Sequence, residues 1–340
     1  MTMRLKKYSI VLVFLISGIK SFAQDIHFSQ FNAAPLLLNP ALAGVNSGNY
    51  RFAANYKNQW NGLAPYNTFA ASFDVNLFKH GPRANFGGIG LFFFNDRAGD
   101  GNLSTTQVNL NLSYTVMLNK RGTQSLTTGI VGGIGHRSVD FSAFIFDSQY
   151  GANGPDQSLP SGENLTNNKL LYPEVGAGVL WNFVKNDKLN FYAGGSAVHL
   201  SQPNLSFFKT RDEKLYIKFT VHGGGYIGLH EQVYLLPSFL YMNQGPHNQV
   251  NIGTLVKIKK SALPSEKISF YLGGWYRVLD AVILNARVDI GSINIGFSYD
   301  INLSGLTPAS NANGGPEVSV IYTGTFPSKK QQVKYCPPML

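Results

Sequence analysis

From Gln107 to Leu118 the chain alternates with almost no break. Val108, Leu110, Leu112, Tyr114, Val116 and Leu118 share one parity, and Gln107, Asn109, Asn111, Ser113 and Thr115 hold the other until Met117. Between Ile293 and Leu303 the residues Ile293, Ile295, Phe297, Tyr299, Ile301 and Leu303 alternate with Asn294, Gly296, Ser298, Asp300 and Asn302. Successive side chains of a strand point to opposite faces, so this period of two sets one face against apolar surroundings and the other against polar ones. The same rhythm runs through Phe69–Leu77, Leu215–Leu229 and Val282–Ile290. Read along its length, the chain predicts about 14 strands, many near the roughly 9–11 residues that a tilted bilayer-crossing strand needs. They begin near Tyr50, Tyr66, Asn85, Leu103, Gln124, Leu171, Leu189, Leu215, Val233, Gln249, Lys267, Ala281, Ile293 and Pro316.

Alternation alone does not say which face points outward, and a soluble sandwich or small closed barrel competes with a membrane barrel. Composition separates them. Charged residues make up 14% of the chain and aromatic residues 13%, too little charge for a water-facing exterior. Aromatic residues also gather at expected strand ends, at Tyr50, Trp60, Tyr66, Phe78, Trp181, Trp275 and Phe326, where interfacial girdles lie in membrane barrels. Connections alternate between short and long, as they do in outer-membrane barrels with short periplasmic turns. Lys79–Arg83, Asn119–Thr123, Val184–Lys188, His230–Gln232 and Gly291–Ser292 are short, and Lys259–Glu266 is somewhat longer. Gln59–Pro65, Asp96–Asn102, Ser138–Leu170, Ser201–Lys214 and Ser304–Gly315 are the longer set. The tight connection at Leu279–Asp280 breaks the rule and points to a miscounted strand.

The expected fold is therefore all-β, a transmembrane antiparallel barrel over residues 50–326. Residues 1–23 read as a secretory signal peptide: Arg4, Lys6 and Lys7 precede a short apolar run from Ile10 to Ile19, and Ser21 and Ala23 stand three and one before Gln24. The apolar run is too short to cross a bilayer as a helix. Residues 24–49 form a part-apolar segment with Pro35 and Pro40 that no strand rhythm claims, and 327–340 form a tail. The formal charge of +10 includes four cations of the leader, Arg4, Lys6, Lys7 and Lys20. The remaining basic residues form no stripe with interleaved aromatics, so nucleic acid is not an expected partner. The single Cys336 excludes an intramolecular disulfide.

Particular runs of residues add to this picture. Gln24-Asp25-Ile26-His27-Phe28-Ser29-Gln30-Phe31 followed by Leu38-Asn39-Pro40-Ala41-Leu42-Ala43-Gly44 resembles the opening of the PorP/SprF family of type IX secretion outer-membrane proteins. The likeness continues through Asn58-Gln59-Trp60 with Pro65-Tyr66, Asp96-Arg97-Ala98-Gly99-Asp100-Gly101, His199-Leu200-Ser201-Gln202-Pro203-Asn204, Gly296-Phe297-Ser298-Tyr299-Asp300 and Leu303-Ser304-Gly305-Leu306, to Tyr335-Cys336-Pro337-Pro338. The resemblance implies a fatty-acid-transporter-like barrel of 14 strands in a Bacteroidetes envelope. It implies partners in the periplasmic ring and lipoprotein of the secretion machine, and in large secreted surface proteins with a C-terminal sorting domain, gliding adhesins among them. It carries no catalytic residue across.

Chemistry in the residues themselves is sparse. The glycine clusters Gly129–Gly135 and Gly223–Gly228 lack the strand-before, helix-after context of a phosphate loop, and read as places where the barrel bends or packs closely. The seven histidines show no metal-ligand spacing. Asp96, Asp100 and Asn102 lack the closing Glu of a calcium loop and read as a turn. No catalytic constellation, cofactor or metal is expected. Two features remain as candidate sites. One is the segment 24–49, a plug for the barrel or a leader beneath its rim, with Phe28, Phe31, Pro35, Asn39 and Pro40 as its anchoring residues. The other is the basic set Lys79, Arg83, Lys120, Arg121, Lys185, Lys188, Lys259, Lys260 and Lys267 at the expected periplasmic turns, joined by Lys329, Lys330 and Lys334 of the tail. These cations sit near anionic lipid headgroups or dock a periplasmic partner. The functional expectation is a non-enzymatic component of type IX secretion. A transporter of small hydrophobic solutes comes second, because fold alone does not fix function, and a general porin third.

Overall fold

The computed structural model describes residues 25–59, 66–78, 84–99, 101–151, 154–163, 168–208, 212–261, 268–304 and 312–326. The leader and the tail expected at 1–23 and 327–340 lie outside them. Each alternating segment is a strand: β1 (Tyr50–Gln59), β2 (Tyr66–Leu77), β3 (Phe86–Ala98), β4 (Leu103–Met117) and β5 (Gln124–Ser138). A two-residue ladder, β6 (Tyr150–Gly151) with β7 (Gly154–Pro155), decorates the following loop. The series continues with β8 (Lys169–Asn186), β9 (Leu189–Val198), β10 (Lys218–Gly228), β11 (Val233–Gln244) and β12 (His247–Lys259). It ends with β13 (Ile268–Arg277), β14 (Ala281–Ile290), β15 (Ile293–Asn302) and β16 (Asn313–Gly324). All but β6 and β7 form one closed antiparallel barrel of 14 strands, sealed where β1 pairs with β16 in the register Ala53↔Ile321. Closure removes the open edges that a sheet of this size would otherwise expose.

Parity decides the faces as alternation requires. On β4, Leu110 is 43% exposed and Asn111 is fully buried; Val108, Leu112 and Tyr114 share the outer face with Leu110. On β15, Ile295 and Phe297 point out while Asn294, Ser298 and Asp300 point in. A barrel with a greasy exterior and a polar lumen is the arrangement that a bilayer stabilises.

Three expectations need correction. Trp275 is not a girdle residue: it falls on the luminal parity of β13, donates from Nε1 to Ser238 Oγ at 2.8 Å, and meets the Phe31 ring edge-on at 5.7 Å. The strand count is right at Leu279–Asp280, where β13 and β14 are joined by a true tight turn with Leu279 at φ 59°. Gly245 and Pro246 make a second tight turn at the same end, between β11 and β12, so short connections are not confined to one rim. The end with the short turns after β4, β8, β10 and β14 is called the turn end, and the other the loop end.

Residues 25–49 lie within the barrel. Asp25 is near the loop end, beside Lys218 and Gln244, and the chain crosses the lumen to Asn49, whose N–H donates to Gly324 O at the turn end. The path is made of short helical turns. Pro35 opens one (Pro35–Leu38) and Pro40 the next (Pro40–Leu42), positions where a missing N–H costs nothing. Asn39 caps the second turn by accepting from Ala41 N at 2.9 Å. The wall admits this chain through glycines: a Cβ at Gly88 would stand 2.0 Å from Ala43 O, and one at Gly129 would stand 2.4 Å from Ala41 N. Close packing is thus the role of Gly129 in its cluster.

Candidate functional site: an occupied lumen and its rims

The lumen is held at three levels. Nearest the turn end, Arg51 of β1 and Asp74 of β2 face each other on adjacent strands, with Arg51 Nε 2.9 Å from Asp74 Oδ1. Asp74 also accepts from Gly44 N at 2.9 Å and Asn46 Nδ2 at 3.2 Å, and Arg51 Nη2 donates to Leu42 O at 3.0 Å. The ion pair therefore grips the backbone of the N-terminal segment as well as itself, which is how a buried pair comes to be satisfied. At mid-height Asn39 Nδ2 donates to Val179 O at 2.9 Å and to Gly195 O at 3.2 Å, and Ser196 Oγ donates to Leu38 O. Around these, Phe31, Leu38, Leu42 and Val45 of the segment share an apolar core with Leu180, Leu240, Leu255, Trp275 and Ile283 of the wall.

Towards the loop end two charged clusters close over the segment. Ser29 is the centre of the first: its Oγ donates to Asp300 Oδ2 at 2.6 Å and accepts from Lys57 Nζ and Arg277 Nη2, both at 2.9 Å. Its N–H and that of Gln30 donate to the two carboxylate oxygens of Glu317 at 2.7 and 3.0 Å. Charge-assisted bonds of this kind are the stronger class. In the second, Asp25 Oδ2 is 2.7 Å from Lys218 Nζ and 3.2 Å from His199 Nε2, while His199 Nδ1 meets Glu174 Oε2 at 2.5 Å. His199 follows β9 and Asp25 belongs to the N-terminal segment. Burial works against the charged imidazole, but Asp25 and Glu174 outweigh it and raise His199 to about 9. Burial likewise opposes ionisation of Asp25, yet Lys218 and His199 hold its carboxyl well below the usual range.

The structure places Phe28, Phe31, Pro35, Asn39 and Pro40 together, all buried inside the barrel. The basic set is more dispersed. Lys120, Arg121, Lys185, Lys188 and Lys260 are exposed at the turn end, interrupted by exposed Asp187 and Glu231. Lys259 is not a free rim cation, because its Nζ reaches Tyr234 Oη at 2.8 Å and lies 4.3 Å above that ring. Lys79, Arg83, Lys267 and the tail lysines lie outside the described residues. Among the described residues no group of three His, Cys, Asp or Glu side chains is placed to hold a metal ion.

Residues 20–322 match the family described as type IX secretion system membrane protein PorP/SprF. The chain belongs to the PorP/SprF family. Its assignment as an outer-membrane barrel component of type IX secretion follows from that family and the closed 14-strand barrel. No curated protein matches this PorP/SprF chain. Among solved structures it is similar to the Ralstonia pickettii toluene transporter TbuX, at 10% identity over 86% of this chain and 93% of that one, with a TM-score of 0.48. A Pseudomonas aeruginosa FadL homologue is similar at 11% identity over 84% of this chain and 92% of that one, also at 0.48. Likeness at this level says nothing about what the PorP/SprF barrel binds.

The luminal ions Arg51, Lys57, Asp74, Glu174, Lys218, Arg277, Asp300 and Glu317 are what the sequence reading missed. Their signal was present: each is an ionisable residue inside or beside a membrane-spanning strand, where such residues face the interior and pair. What the sequence withholds is the pairing, since Ser29 and Glu317 lie 288 residues apart.

Proposed function

We propose that this protein is a non-enzymatic adaptor of type IX secretion, a plugged barrel that joins the periplasmic machine to a secreted surface protein. The turn end faces the periplasm in this reading, as short turns do in outer-membrane barrels, and offers Lys120, Arg121, Lys185, Lys188 and Lys260 to the periplasmic ring and lipoprotein. The loop end, chiefly the connections Ser138–Leu170 and Ser304–Gly315, faces outward in this reading, towards cargo bearing a C-terminal sorting domain, such as a gliding adhesin. One observation carries the reading beyond family membership: residues 25–49 cross the whole lumen and are fastened at three levels, which suits a scaffold better than an open pore.

A hydrophobic-solute transporter is the second reading. It is favoured by a crevice of about 310 Å³, counting space open to solvent, between Ile26, Phe28, Phe31 and Leu37 of the segment and Leu240 and Met242 of the wall. Most of that space is open solvent; the enclosed part is about 20 Å³, room for a water-sized group and far below the roughly 300–1,000 Å³ of ligand pockets. Deletion of the gene separates the two readings. The adaptor reading expects ordinary growth, with one or a few secreted proteins retained in the cell or shed from its surface. Replacing the five exposed rim cations by Ser should weaken copurification of periplasmic machine components, and higher salt should weaken the native contact in the same direction. Normal display of every type IX substrate with impaired uptake of an apolar nutrient would establish the transporter instead.

A further inference from the structure

The luminal wall of β10–β15 near the turn end carries a charge cluster that no hydrogen bond or ion pair among the described residues joins to the N-terminal segment. Register brings it together: Tyr234 stands opposite Lys257, Lys257 opposite Tyr271, and Tyr271 opposite Arg287, on four successive strands. Lys259, Asp289 and Asn294 lie on the same luminal parity, two residues nearer the rim or on the next strand. Arg287 sits over the Tyr271 ring, its Cζ 3.9 Å from the centroid, and Lys257 Nζ stands 5.0 Å from the same ring and 5.8 Å from that of Tyr226. Tyr226 in turn stacks on Tyr234 at 4.6 Å.

Three cations thus line the same wall as one luminal carboxylate, Asp289, and Lys257 is the one paired with it. Asp289 is already engaged on both oxygens, accepting from Tyr271 Oη and from Asn294 Nδ2 and pairing with Lys257 Nζ at 3.6 Å. The tyrosine rings attract Lys257, Lys259 and Arg287 by their faces but do not neutralise them. Arg287 Nε and Nη2 are buried with no acceptor among the described residues, a costly state for a charged donor. The Lys257 and Asp289 side chains remain 12% and 22% exposed, so the cluster is open to solvent.

We propose that this cluster is a binding site for an oxyanion, a carboxylate or phosphate group presented to the lumen from the turn end. A planar guanidinium held on an aromatic face matches the two oxygens of such a group, and Lys257 and Lys259 flank it as point charges. The excess of positive charge on this wall, beside an Asp289 whose two oxygens are both engaged, is then a preformed half of an ion-pair network whose other half arrives with the ligand. Binding itself does not depend on the adaptor reading; only the statement that the ligand comes from the periplasm rests on it.

The test uses the full chain in detergent, titrated calorimetrically with inorganic pyrophosphate, with tetraglutamate, and with neutral tetraglutamine. At least one anionic probe should bind at a single site, more weakly as salt is raised, while tetraglutamine should not. Preference for pyrophosphate assigns a phosphate ligand, and preference for tetraglutamate a carboxylate from a protein segment. Arg287→Gln and Lys257→Gln should each weaken binding by about tenfold or more, with retained heat-modifiable migration showing an intact barrel. Asp289→Asn removes the competing carboxylate and should strengthen binding several-fold, which a merely structural cluster would not do. The site is refuted if neither anion binds, or if binding is unchanged in Arg287→Gln and Lys257→Gln. Should those variants not fold, unchanged or weaker binding by Asp289→Asn refutes it equally.

Discussion

Asp25 places one carboxylate oxygen within reach of two cations, Lys218 and His199, and the second of these is itself shared with Glu174. Such a latch has a definite pH response. His199 is raised to about 9 by partners that the unfolded chain lacks, so its contribution is complete below the unfolded value near 6.5 and is lost as pH rises through about 9. Asp25, held low by Lys218 and His199, contributes above its unfolded value and loses that only in acid. Between pH 7 and 10 the His199 contribution, on the order of 3 kcal/mol at most, should therefore fade. Hydrogen-exchange protection of the amides around residues 25–30, taken relative to the base-catalysed exchange rate of free amides at each pH, should fall over that range. In His199→Gln that protection should be low already at pH 7 and change little further. Protection that stays constant with pH in the native protein would contradict the latch. None of this was legible beforehand. Asp25 and His199 both stand inside family-like runs, but nothing local to either announces a partner 174 residues away.

At the scale of a strand the sequence was far more informative. Eight of the expected strand starts, Tyr50, Tyr66, Leu103, Gln124, Leu189, Val233, Ala281 and Ile293, coincide with observed ones, because the alternation is imposed residue by residue by two unlike solvents. The failures are of more than one kind. Leu215 is expected to begin a strand that starts at Lys218, and Trp275 is expected at an interface but occupies the lumen. For Trp275 residue type spoke for the membrane while its parity on β13 spoke for the lumen. Strand β4 offers the direct check on facing. Leu110→Arg should destabilise the barrel by about 2–4 kcal/mol if Leu110 lies near the bilayer midplane, whereas Asn111→Ser should cost much less. Refolding into bilayers with denaturant titration reads the difference, and equal small losses would remove the outward assignment of Leu110.

For the molecule as a whole, the occupied lumen predicts electrical silence. The intact protein in planar bilayers should pass negligible current, and deletion of residues 24–49 should open it to steady conductance, with heat-modifiable migration confirming that the barrel still forms. Large steady currents from the intact chain would return the porin to consideration. The closing seam has a consequence in time as well as in space. Glu317 lies on β16, the strand that seals the barrel against β1, and it also receives the N–H groups of Ser29 and Gln30. Threading a chain that spans the full lumen into a barrel already shut would require it to pass Arg51, Asn39's partners and Lys57 in sequence. Assembly is simpler if the segment lies against the half-formed wall and the last strand arrives to close both ring and latch in a single event. Ser29, Gln30 and the last strand of the barrel then become native together, a contact of very high sequence separation, the kind whose loop-closure cost slows folding.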